Sequence, residues 1–189
     1  MRKGARHPEL DEREPPRLDP RLFGELGRSA FRWTLLSLAT SFGALTVAAL
    51  RGWLGAPAPI AASARPALVG ASVSAMLLWA GAERGLRAIR RDRTGPATRA
   101  TGLAVIATAT LFGCELALLV RPGLPAPARV LLAAHLLYTV GAAPLAVHAL
   151  WQIGRDRFWS LHHPSLHYLA LHARFLLACW LVLLAIASL

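Results

Sequence analysis

Of the seven histidines in this 189-residue chain, six fall between positions 135 and 172. His135 and His148 lie inside ARVLLAAHLLYTVGAAPLAVHALWQIGRDR, Ala128 to Arg157, which has no formally charged residue between Arg129 and Arg155. At about 1.5 Å of rise per residue, that interval exceeds the roughly 30 Å of a bilayer core. Imidazole in hydrocarbon is costly unless it ligates a metal, handles a proton or meets a polar partner, so each such histidine marks a candidate site. Glu115 is the one carboxylate well inside an apolar segment, six residues before Arg121. His135 stands six residues after Arg129, which gives the two residues similar depth on adjacent segments.

The elements that must position these groups are membrane spans. Fifty-five per cent of the residues are hydrophobic, 16% are charged and the mean hydropathy is +0.45, values outside the range of an ordinary soluble domain. The net charge of +11 does not point to nucleic acid, because the basic residues sit in short stretches between apolar runs. Five apolar segments are read at about 33–54, 66–83, 101–120, 128–153 and 165–189. Before them, residues 1–18 read as a disordered tail of mixed charge, with no signal-peptide core. Asp19 and Pro20 then open a short interfacial helix over 19–32, or an extension of the first span. Cys114 and Cys179 lie in apolar segments without redox or zinc spacing.

Basic residues alternate between the flanks. Eight precede the first span, two border the first loop, six lie in ERGLRAIRRDRTGPATR, and two border each later loop. This places the N-terminus and the second and fourth loops on the cytoplasmic side of a bacterial-type inner membrane, and the C-terminus outside. An offset of 64 lays ARPALVGASVSAMLLWAGAERGLRAIRRDR over ARVLLAAHLLYTVGAAPLAVHALWQIGRDR. The match suggests two helical hairpins plus one helix, and it sets Ala71 opposite His135 and Arg84 opposite His148.

The stretch HLLYTVGAAPLAVHALW, with His135, Tyr138, Gly141, His148 and Trp151, resembles the haem-bearing helices of small bacterial membrane b-type cytochromes. The resemblance implies haem b held between histidines of neighbouring helices, and an electron-transfer subunit with a redox partner. His135 and His148 are 13 residues apart, which on a regular helix is roughly 140° of rotation, so they face different neighbours unless Pro144 intervenes. The fifth segment opens with SLHHPSLHYLALHARF, which carries His162, His163, His167 and His172. Equal depth from the shared loop selects His148 and His172 as axial ligands, with His167 as the alternative partner and Arg174 beside the propionates. If Arg174 instead marks the interface, the cluster is an interfacial polar stretch, or a His163/His167 metal site.

At the other end of the fourth segment, a Glu115–His135 hydrogen bond satisfies both groups without a cofactor; a proton relay or quinone contact is the alternative. Phosphate loops, catalytic triads and paired carboxylates are missing, so no independent catalytic activity is read. Small residues such as Gly70, Ala71, Ser72 and Ser74 favour close packing, and the first two spans offer too little polarity to line a transport path. The reading is an all-α, polytopic membrane bundle of five helices. It serves either as a haem-b electron-transfer subunit or as a cofactor-free structural or accessory protein within a membrane complex.

Overall fold

The computed structural model describes residues 20–55, 64–122, 124–155 and 164–187. Within them the chain forms five helices and no strand: α1 (Pro20–Gly55), α2 (Arg65–Ile89), α3 (Thr94–Leu119), α4 (Ala126–Gly154) and α5 (Pro164–Ala187). Each contains a stretch long and apolar enough to cross a bilayer, and the chain is an all-α, multi-pass membrane bundle. The tail read over residues 1–18 lies outside the described residues, as do His162 and His163.

Proline sets several of the starts. Pro20 and Pro164 open α1 and α5, and Pro66 and Pro127 occupy the first turns of α2 and α4, where a missing N–H costs nothing. α1 runs unbroken from Pro20 through residue 32 into the first span, so the helix read over 19–32 continues directly into that span. α2 and α3 extend beyond the apolar runs 66–83 and 101–120. Arginine is a good helix former, and its long stem lets the charge leave the apolar zone, so the helix continues through Arg84 and Arg87. The arginine-rich loop thereby shrinks to Arg90–Arg93, closed by Asp92 N–H to Ile89 O (2.9 Å) and Arg93 N–H to Ala88 O (3.0 Å). Asp92 takes a φ of 52° there, a conformation that a short polar side chain tolerates.

Four helices make a closed ring: α2 packs on α3, α3 on α4, α4 on α5, and α5 returns to α2. α1 leans on the outside, against α4 and α5. The helix added to the ring is therefore α1, whereas a plan of two hairpins followed by one helix would make it α5. The α2–α3 contact is the closest. Ala71, Ala75 and Ala82 on α2 and Ala97, Ala104 and Ala107 on α3 are all buried, and the Gly81-x3-Gly85 pair lets the backbones approach. A Cβ on Gly81 would lie 2.7 Å from the Ala100 carbonyl oxygen, which is backbone and cannot turn aside. Gly81→Ala is accordingly expected to destabilise by about 1–3 kcal/mol. Gly113→Ala, with nothing within 4 Å of the added carbon, is expected to cost nothing. Unfolding of both variants by sodium dodecyl sulphate in mixed micelles checks the contrast.

Candidate functional site

Glu115 on α3 and His135 on α4 are both wholly buried, and the structure brings them together. His135 Nδ1 lies 2.5 Å from Glu115 Oε1, and its Nε2 lies 2.9 Å from the Leu176 carbonyl oxygen of α5. A carbonyl only accepts, so Nε2 carries a proton and donates it. The other proton sits between Nδ1 and Oε1. Whichever atom holds it, the pair as a whole is neutral, the form that costs least in a low-dielectric interior. Thr139, one turn beyond His135, places its hydroxyl 3.1 Å from the His135 carbonyl and 3.3 Å from Glu115 Oε1. Glu115 Oε2 is buried without a hydrogen-bond partner among the described residues.

The fourth helix of the ring joins at the same level. Trp180 of α5, whose ring centre is 5.4 Å from that of His135, donates its indole N–H to Ser72 Oγ of α2 at 3.0 Å. Polar links thus run from α2 through α5 and α4 to α3 inside one apolar shell. Van der Waals packing between apolar helices is little different from packing against lipid, so such links fix which faces meet.

Nearer the arginine-rich end, the histidines read as ligands take other partners. His172 is buried, and its Nε2 donates to the Tyr138 carbonyl of α4 at 2.9 Å, with the ring close over Gly141. His148 is exposed on α4; it accepts from Gln152 Nε2 at 2.9 Å and stacks on Trp151, and Ser165 of α5 donates to Gln152 Oε1 at 2.8 Å. Both imidazoles thus engage Nε2 with protein groups, His148 with the Gln152 amide and His172 with the Tyr138 carbonyl. His167 is half-buried and lines a cleft between α2 and α5 together with Arg174. Arg174 bonds Glu83 of α2, Nε to Oε1 at 2.5 Å, and Arg155 stacks over Trp151, 4.4 Å from the ring centre. Among the described residues, no group of three or more histidine, cysteine or acidic side chains gathers as a metal site would require.

Glu83 escaped the sequence reading because it ends an apolar run and looks like the start of a loop. No protein-family model and no curated protein matches the chain, so its own residues carry the functional reading.

Proposed function

We propose that the chain is a cofactor-free membrane protein with a structural or accessory role, and that the Glu115–His135 pair is the clamp that fixes its ring of helices. The observation that carries this reading is the use of both His135 ring nitrogens by protein groups, one on α3 and one on α5. An imidazole so engaged has no lone pair for a metal, and its partners hold it in one orientation. His172 donates from the nitrogen that a haem iron would need, which supports the same reading. The test is a reduced-minus-oxidised absorption spectrum of protein purified in detergent from haem-replete cells. A colourless protein is expected; a Soret band lost in His172→Ala would overturn the proposal.

The same reading places the protein in a bacterial-type inner membrane, with the N-terminus and the Arg90–Arg93 turn cytoplasmic. It rests on the arginines at the α2–α3 end, against Arg121 and Arg129 alone at the α3–α4 turn. Alkaline phosphatase fused after Leu189 is expected to be active, and the same fusion within residues 90–93 inactive. The reverse pattern would invert the topology.

A further inference from the structure

The cleft between α2 and α5 is not used by the clamp. Glu83 and Arg87 on α2 and Arg90, the residue that caps its C-terminus, follow one another at i, i+4 and i+7 along a single stripe. His167, Leu171 and Arg174 repeat that spacing on α5. The chain crosses the bundle twice, as α3 and α4, between the end of α2 and the start of α5, so the two stripes run antiparallel. Glu83 therefore meets Arg174 at the inner end, and Arg90 stands level with His167 about 10 Å nearer the membrane surface. The space between them is about 410 Å³, walled by Leu86 and Ala170.

Among the described residues, Arg87 and Arg174 alone outnumber the Glu83 carboxylate that lines this space, and Arg90 adds a third guanidinium at its outer end. Glu83 takes the Arg174 Nε, which leaves both terminal nitrogens of that guanidinium for another acceptor. Arg87 reaches Glu83 only at 4.0 Å. The buried carboxylate thus sets the angle of Arg174 without using its fork. Planar forks held apart on two helices match the oxygens of a phosphate group, and basic pockets between membrane helices bind phosphorylated headgroups. Arg91 and Arg93, two residues of the same basic stretch, lie outside the cleft.

We propose that the α2–α5 cleft is a binding site for a phosphate group, held by Arg87, Arg90 and Arg174, and carried by either an anionic lipid headgroup or free phosphate. The experiment measures the thermal midpoint of the full chain in neutral detergent with dioleoyl phosphatidylglycerol, with phosphate-free dioleoylglycerol, or with inorganic phosphate. Phosphatidylglycerol at about one hundred times its Kd is expected to raise the midpoint by about 5–10 °C, with no rise from dioleoylglycerol. R87Q/R90Q is expected to lose that rise, and the charge-matched R91Q/R93Q to keep it. If R87Q/R90Q does not fold, R87Q alone carries the comparison. A rise with inorganic phosphate that shows the same dependence on Arg87 and Arg90 assigns the free ion as a source. An equal rise in R87Q/R90Q and wild type, or none with either phosphate source, would overturn the proposal.

Discussion

Glu115→Leu is expected to destabilise the bundle by about 2–3 kcal/mol, and Glu115→Gln by less than about 1 kcal/mol. Leucine leaves His135 Nδ1, on a wholly buried ring, without its hydrogen-bond partner. Glutamine can donate its amide N–H to a neutral Nδ1 while Nε2 keeps the Leu176 carbonyl, so both ring nitrogens stay bonded. The magnitude lies between two cases. Interhelical hydrogen bonds in membranes average about 0.6 kcal/mol, because the unfolded chain in lipid also finds partners. Stranding a buried charge costs about 3–5 kcal/mol. Detergent-titrated unfolding, followed by tryptophan fluorescence, reads the difference. Equal stability of the two variants would mean that a hydrogen bond to His135 Nδ1 contributes nothing to the bundle.

Arg174→Leu is expected to cost about 1.5–3 kcal/mol, and Arg174→Lys distinctly less. The loss comes from Glu83, whose side chain is only 8% exposed and is left with Arg87 at 4.0 Å as its remaining cation. Arg174 itself is 57% exposed, so its own attraction is screened and the value stays below that of a fully buried pair. Glu83→Gln/Arg174→Leu, which removes both charges, is expected to recover part of the loss. Unchanged stability in Arg174→Leu would mean that apolar packing alone holds α2 to α5.

The spans were legible because hydrocarbon demands long apolar helices, and charge-free runs of that length have no other use. Their ends were not, since Arg84, Arg87 and Glu83 belong to a helix as readily as to a loop. Depth was legible too: counting from Arg121 and Arg129 puts Glu115 level with His135, and the structure joins them. Direction around the helix was the missing coordinate. α4 is apolar on every face, so nothing in its pattern says which side meets α5. Counting from Arg155 gave His148 the depth of His172, yet His148 points outward to Gln152 while His172 points inward to Tyr138. The helix pairing was hidden for the same reason. Consecutive helices need not be neighbours when the connection between them is long enough to choose, and α1 packs on α4 and α5.

The clamp is tested most directly by a double-mutant cycle on Glu115→Leu and His135→Leu, with all four proteins unfolded in the same mixed micelles. If the two side chains chiefly satisfy one another, each single variant strands its partner, and the double variant is no less stable than either. The expected coupling is about 2 kcal/mol or more. Losses that simply add, with the double variant the least stable of the four, would show that the two residues act independently, and the clamp would fall.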